Sequence, residues 1–240
     1  MAVVINNTEI LKRFNSSIRQ YTNVPYELIL LDNASDDPDA IRTIRDLADV
    51  HHRFEERMSL ATAWNRGISM SRGKFIAVAN DDTVVSPNWF LPLKETLVKN
   101  KSAGMVTPMT LYHLKLYFQY GNMAGFNGNF EKPLRLERFK DMVVGEFCVF
   151  KRRALLDVDG YCELYKGTSS EDIDMDFKLY SKGYEIYMDP RVFVHHQLGS
   201  SSEHGPSRDI KNKNRLILRS RWPEHVDDVL RRFGIEGFFD

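Results

Sequence analysis

The chain opens on a short apolar run, residues 3–5, and then sets Leu11, Phe14 and Ile18 at helical spacing, a pattern that predicts a strand followed by an amphipathic helix. Residues 27–31 (Glu-Leu-Ile-Leu-Leu) read as a second buried strand that closes on Asp32-Asn33. The turn-forming stretch 34–38 leads into a helix marked by Ile41, Ile44 and Ala48, and Arg53-Phe54 reads as a short strand. Leu60, Ala61, Trp64 and Ile68 share one helix face, which Ser71-Arg72-Gly73 ends. Residues 74–79 (Lys-Phe-Ile-Ala-Val-Ala) predict another strand, Ser86 and Pro87 the cap and first residue of a helix over 87–99, and residues 105–107 a further strand. Strands alternating with helices of this length imply a parallel, three-layer α/β sheet.

After Pro108 the rhythm breaks. Residues 109–142 are rich in Tyr, Phe, Asn and Gly without a clean period, and a stretch that long inside a compact domain is usually functional or mobile. Strand character returns over 143–150, and helical spacing at Ile173, Phe177 and Tyr180, stopped by Gly183. Residues 184–188 and 192–196 predict two final strands. From His204 the chain is basic and then mixed, consistent with a helical extension over 204–240 after a domain spanning 1–203.

Composition narrows the function classes. With 240 residues and 42% hydrophobic content the chain can bury a sizeable core, and a formal net charge of zero supplies no global field toward nucleic acid, so no nucleic-acid partner is expected. The two cysteines, Cys148 and Cys162, form neither a metal-type pair nor a disulfide framework. No leader pattern and no membrane-length apolar stretch is read, so a cytoplasmic protein is expected, with peripheral membrane contact left open through the basic C-terminal stretch.

Four clusters at strand ends or helix starts can carry chemistry. Asn80-Asp81-Asp82 follows directly on a buried strand; adjacent carboxylates there repel unless a cation or a donor-rich ligand sits against them, although Asn and Asp also favour plain turns. Oxygen ligands of this kind suit Mg²⁺ or Mn²⁺ bridging to substrate phosphates. Asp32-Asn33 offers acceptors for a base or ribose, or an Asx-turn. Glu171 and Asp172 fall in the first turn of the helix carrying Ile173, where Thr168-x-x-Glu171 and Ser169-x-x-Asp172 both fit a capping box and where a carboxylate can also serve as general base. His195-His196 ends a strand, so at most one imidazole faces a given site.

The order of these motifs resembles the family-2 glycosyltransferases, inverting enzymes of the GT-A fold that use nucleotide-diphosphate sugars. The resemblance rests on Val3-Val4-Ile5-Asn6-Asn7, Leu30-Leu31-Asp32-Asn33-Ala34-Ser35-Asp36, Ala61-Thr62-Ala63-Trp64-Asn65-Arg66-Gly67-Ile68, Asn80-Asp81-Asp82-Thr83, Gly145-Glu146-Phe147, Ser170-Glu171-Asp172-Ile173-Asp174 and Val194-His195-His196. It implies a Rossmann-like α/β/α sandwich with a mostly parallel sheet, residues 1–108 as the nucleotide-binding half and 109–203 as the acceptor and catalytic half. It also implies Asp32 on the nucleobase with Asn33, Asn6 and Asn7 beside the nucleotide. Arg57 and Asn65 fall near the nucleotide or its diphosphate, and Asn80 and Asp81 on the donor. Asp82 and His195 would hold a divalent metal, Mn²⁺ or Mg²⁺, and Asp172, with Glu171 beside it, would be the catalytic base. The implied partners are a UDP- or dTDP-linked sugar and a hydroxyl of a glycan or lipid-linked glycan. Asn80 stands where the family's DxD-type motif begins with Asp, and Asn6-Asn7-Thr8 where Pro-Thr-Tyr or Pro-Thr-Asn is usual.

Rings within 111–130, such as Tyr112 and Tyr117, can stack on sugar faces or simply cover the sheet. Two other readings compete. A non-catalytic nucleotide-sugar-binding subunit would share these residues, and a nucleotidyltransferase would carry a Gly-rich phosphate loop after the first strand, where residues 6–15 hold no glycine.

Overall fold

A computed structural model of the chain describes residues 1–112, 118–119, 137–139, 145–197 and 207–233. The first half runs β1 (Ala2–Val4), α1 (Thr8–Tyr21), β2 (Ile29–Asp32), α2 (Pro38–Leu47), β3 (Val50–Arg53), α3 (Leu60–Met70), β4 (Phe75–Asn80), β5 (Thr83–Val85), α4 (Phe90–Lys99) and β6 (Ala103–Tyr112). The second half adds β7 (Phe118–Gln119), β8 (Glu137–Phe139), β9 (Phe147–Lys151), α5 (Arg152–Asp157), α6 (Glu171–Ser181), β10 (Glu185–His196), α7 (Arg208–Arg221) and α8 (Pro223–Phe233). Most of the aromatic stretch 111–130 lies outside the described residues, as does the start of the strand read over 143–150.

The strands form one sheet in the order β3-β2-β1-β4-β9-β6-β10-β5, with β7 beside β6 and β8 beside β10. β1 to β4 are mutually parallel, β6 and β10 are parallel to each other, and β9 joins the two groups antiparallel to both. The expected mostly parallel α/β sandwich is therefore present, with β9 reversed at its middle and β5, β7 and β8 paired antiparallel to their neighbours. β1 and β2 are buried along their whole length because helices cover both faces, which is why their sequences read as unbroken apolar runs. On one face Trp64 of α3, Leu155 of α5 and Met175 of α6 pack over Val3, Leu31 and Val78. On the other, Phe14 and Ile18 of α1, Ile44 of α2 and Leu93 of α4 pack over Val4, Leu30 and Val106. Among the described residues, no helix is long and apolar enough to cross a membrane.

Three local readings change. Thr83–Val85 forms an edge strand antiparallel to β10, and the following helix starts at Phe90 rather than at residue 87. Asn88 lies at φ 57°, which no helix interior accommodates, and the Ser86 hydroxyl accepts the Phe193 N–H (3.3 Å) instead of capping a helix. The two final strands are one, β10: its register against β6 shifts between Asp189 and Phe193, opposite Pro108, a residue with no N–H to give. The buried Asp189 at this irregularity accepts from Thr96 Oγ1 (2.6 Å) and from Arg191 Nη2 (2.7 Å). The capping boxes at 168–172 are not made: Ser170 precedes α6 at φ 72° without a side-chain cap bond.

Candidate active site

The carboxyl ends of β1, β4 and β10 and the amino end of α6 meet at a cleft of about 350 Å³. Such a crevice at strand carboxyl ends is where open α/β sheets bind ligands. One wall is apolar, with Val3, Ile10, Leu60 and Trp64; the other carries Asn80, Asp81, Asp82, Glu146, Glu171, Asp172 and His196.

The acidic wall is built by the reversal from β4 into β5, which places Asp81-Asp82 in a two-residue turn. Thr83 Oγ1 donates to the Asn80 carbonyl (2.8 Å), and Gln197 N–H donates to the Asp82 carbonyl (3.0 Å), so the turn is fixed to itself and to the end of β10. Because β10 pairs antiparallel with β5, His196 stands opposite Thr83. Its Nε2 then lies 3.0 Å from Asp82 Oδ1 and 3.5 Å from Asn80 Nδ2. Burial disfavours protonation of His196, but the hydrogen bond and charge of Asp82 outweigh it and raise the pKa. Burial, with the Asp82 charge added, pushes Asp81 up to about 7.

The catalytic candidates sit on the first turn of α6. Asp172 Oδ1 accepts the Ile173 N–H (2.9 Å) and Oδ2 the Gly145 N–H (3.3 Å), which aims the carboxylate across the cleft mouth toward β9. A Cβ on Gly145 would come within 2.9 Å of the Asp172 Cβ, so that glycine lets the two backbones approach. Glu171 accepts the Ser169 N–H (2.5 Å). Burial first, and the Asp172 charge second, push Glu171 up to about 8; burial raises Asp172 against the N–H groups that hold it.

Asp82 and Asp172 thus share a cleft with an imidazole, but it belongs to His196. His195, expected at the metal from the sequence, is the neighbouring residue on a strand whose side chains alternate, and it does not line the cleft. Asn7, Asn80 and Asp81 line the cleft. Asp32, Asn33 and Asn65 do not; each is committed to internal bonds. Asp32 is fully buried and accepts from Arg53 Nη1 (2.5 Å) and the Ser35 N–H (2.8 Å). Asn33 exchanges two hydrogen bonds with the Met58 backbone (3.0 and 2.8 Å), and Asn65 holds both backbone groups of Tyr161 (2.9 and 2.8 Å) and the Glu163 carboxylate (2.8 Å). Asn6 ties its loop to the next one, donating to Asp36 (2.7 Å) and accepting from the Asp36 and Asp37 N–H groups (3.1 and 3.2 Å). Arg57 is exposed on the loop before α3.

Glu146, part of the Gly145-Glu146-Phe147 motif, carries no site role in the sequence analysis, and the bond of Arg53 to Asp32 is not foreseen there. Glu146 was visible as a Gly-Glu pair interrupting an apolar run; it falls at the start of β9, where its carbonyl accepts the Asn80 N–H (2.9 Å). Arg53 had no signal, since its partner Asp32 becomes its neighbour only through the parallel pairing of β2 with β3.

Comparison with known folds gives the class first. The chain superposes on the structure entitled "Crystal structure of GalNAc-T7 with UDP, GalNAc and Mn2+" with a TM-score of 0.74 at 17% identity, over 95% of this chain and 48% of that one. It matches "Mannosyltransferase PcManGT from Pyrobaculum calidifontis in complex with GDP-Man and Mn2+" at 0.61 and 16%, over 96% of this chain and 63% of that one. The architecture is that of the GT-A glycosyltransferases. Residues 3–158 match the family model Glycosyl transferase family 2, and the chain belongs to that family. Among curated proteins it is 25% identical over 236 residues to the uncharacterized protein y4gI of Sinorhizobium fredii, covering 90% of this chain and 25% of that protein. It is 26% identical over 230 residues to the poly-beta-1,6-N-acetyl-D-glucosamine synthase of Staphylococcus epidermidis, covering 91% of this chain and 55% of the synthase. The chain therefore spans about a quarter and about half of these two proteins.

Proposed function

We propose that the chain transfers a sugar from a nucleotide-diphosphate donor to a hydroxyl of a glycan or lipid-linked glycan, with inversion, in the cleft between Asp82 and Asp172. The observation that carries this reading is the convergence of the β4–β5 turn, the end of β10 and the first turn of α6 on one crevice. Family membership, the UDP, GalNAc and Mn²⁺ named with one structural neighbour and the GDP-Man and Mn²⁺ named with the other support the donor class.

The donor set fits a divalent cation. Asp82 and His196 present a carboxylate and an imidazole side by side, and burial of Asp81 and Glu171 with neighbouring charges is strain that a cation relieves. Among the described residues no three His, Cys, Asp or Glu side chains are arranged to enclose a metal, so diphosphate oxygens and water would complete the shell, as Mg²⁺ sites commonly require. Asp82 and His196 would hold Mn²⁺ or Mg²⁺, and when bound the ion supplies positive charge to the departing diphosphate.

The chain's own residues do the rest. Asn7, Asn80 and Asp81 bind the nucleotide side of the donor, with Asp81 toward the ribose. Asp172, held by the Gly145 and Ile173 N–H groups, takes the proton from the acceptor hydroxyl as its oxygen attacks the anomeric carbon from the face opposite the diphosphate. The raised pKa of Asp172 strengthens it as a base. The apolar wall of Leu60 and Trp64 excludes water from that side of the cleft.

The test is a panel of UDP-, GDP- and dTDP-sugars with Mn²⁺, scored for transfer or hydrolysis. Asp172→Asn is expected to lower turnover by about 10²- to 10⁴-fold with donor binding retained. Full turnover in that variant would refute the base assignment, and binding without turnover in the native chain would favour the non-catalytic reading.

A further inference from the structure

The segment that lines the cleft just before α6 adopts an unfavourable backbone. Gly167, Ser169 and Ser170 stand at φ 63°, 122° and 72°, and only the first is a glycine. Non-glycine residues persist in such conformations only when their surroundings over-determine them. Here the surroundings are α7, whose bonds to the segment span 45 to 48 residues of chain and which lies, like the segment itself, beyond the matched family residues 3–158.

Asn214, buried on α7, makes three hydrogen bonds to this segment. Its Nδ2 donates to the carbonyls of Lys166 (2.9 Å) and Ser169 (3.0 Å), and its Oδ1 accepts the Lys166 N–H (3.1 Å). The loop is fastened on its other side by the Leu60 N–H, which donates to the Gly167 carbonyl (3.1 Å). One turn into α6, the buried Asp174 accepts from Arg221 Nε (2.7 Å), Trp222 Nε1 (2.7 Å) and the Tyr165 hydroxyl (3.0 Å). Packing alone would need only apolar groups at these places; a fully bonded buried amide selects one loop conformation.

We infer that α7 is a strut for the catalytic turn, with Asn214 the positioning residue that sets the 166–170 loop and thereby the placement of Glu171 and Asp172. The inference rests on the proposed transfer reaction for its catalytic consequence, but its structural half does not. Asn214 does not line the cleft. It acts through Ser169, whose carbonyl it holds and whose N–H donates to Glu171 (2.5 Å). Donor binding depends on the β4–β5 turn and β10, which α7 does not brace through these bonds.

The experiment is Asn214→Ala in the full chain, read two ways. Hydrogen exchange is expected to accelerate at the amides of residues 167–171 and to stay unchanged across β4. With whichever nucleotide sugar of the panel the native chain uses, kcat is expected to fall about 10²-fold while donor KM holds, because a base misplaced by about 1 Å loses that much. Should the alanine variant not fold, Asn214→Asp keeps the acceptor for Lys166 N–H and removes both donors, and the same readings apply. Unchanged exchange in the loop overturns the strut. Accelerated exchange with unchanged kcat overturns the positioning role. A native chain that turns over no nucleotide sugar removes the proposed reaction instead, and the exchange measurement still decides the strut.

Discussion

At the scale of single residues, the imidazole that meets Asp82 is that of His196, 3.0 Å from its Oδ1. Asp82, Asp172 and the paired histidines stand out by type and position, yet a one-residue difference on a strand decides which imidazole enters the cleft. Pairing of β10 with β5 settles it for His196, opposite Thr83. Two variants separate the faces. His196→Ala is expected to weaken Mn²⁺ activation by about 10-fold or more, the scale of losing one ligand or its close support. His195→Ala is expected to leave the Mn²⁺ concentration dependence unmoved. Activity titrated against Mn²⁺ in both variants checks this, and the reverse pattern would return the ligand role to His195. Asp32, Asn33 and Asn65 teach the complementary lesson. A polar side chain at a strand end or on a helix face reads the same whether it meets substrate or backbone, and only the fold shows that Arg53, Met58 and Tyr161 already satisfy them.

At the scale of elements, the strongly periodic segments were legible because burial on both faces leaves a plain signature, as in β1 and β2. What escaped were elements defined by their partners: the edge strand β5, and the start of α4 displaced by the left-handed Asn88. The α6 terminus is the clearest case. Its acids looked like caps, and the structure instead buries Glu171 and leaves Asp172 half-buried beside it, without a side-chain cap bond from Ser170. Glu171 is pushed up to about 8 from 4.5, so the folded chain binds its proton more tightly than the unfolded chain does. The sign follows from linkage: this stability is fully present below the unfolded value near 4.5 and is lost as pH rises through the folded one. The melting temperature of the metal- and donor-free protein is therefore expected to fall between about pH 5 and pH 8, with Asp172, also raised, acting in the same direction. Glu171→Gln keeps an acceptor for the Ser169 N–H and should flatten the slope. Thermal melts across that range decide it; an equal slope in the variant would place the pH dependence elsewhere.

At the scale of the whole molecule, a net charge of zero conceals a strong local imbalance. Asp81, Asp82, Glu146, Glu171 and Asp172 all line a cleft proposed to receive a diphosphate, itself an anion. Two negative partners in a partly buried space repel, and Asp81 and Glu171, raised first by burial and then by a neighbouring charge, already carry the cost of negative charge there. On the proposed reading, a nucleotide is expected to bind well only if a cation enters with it. This makes nucleotide and metal binding one coupled equilibrium, and the coupling must be reciprocal: whatever factor Mn²⁺ adds to UDP affinity, UDP adds to Mn²⁺ affinity. A coupling of about 5- to 150-fold is the ordinary range for two linked sites, and an ion held by Asp82 and His196 beside the diphosphate, as proposed, would place it in the upper part. Calorimetric titration of UDP in EDTA and in saturating Mn²⁺, with the converse titration of Mn²⁺ in the presence and absence of UDP, measures both sides of the cycle. Equal UDP affinity in the two buffers would mean that the acidic wall does not face the diphosphate, and the arrangement of donor and base proposed for this cleft would have to be abandoned.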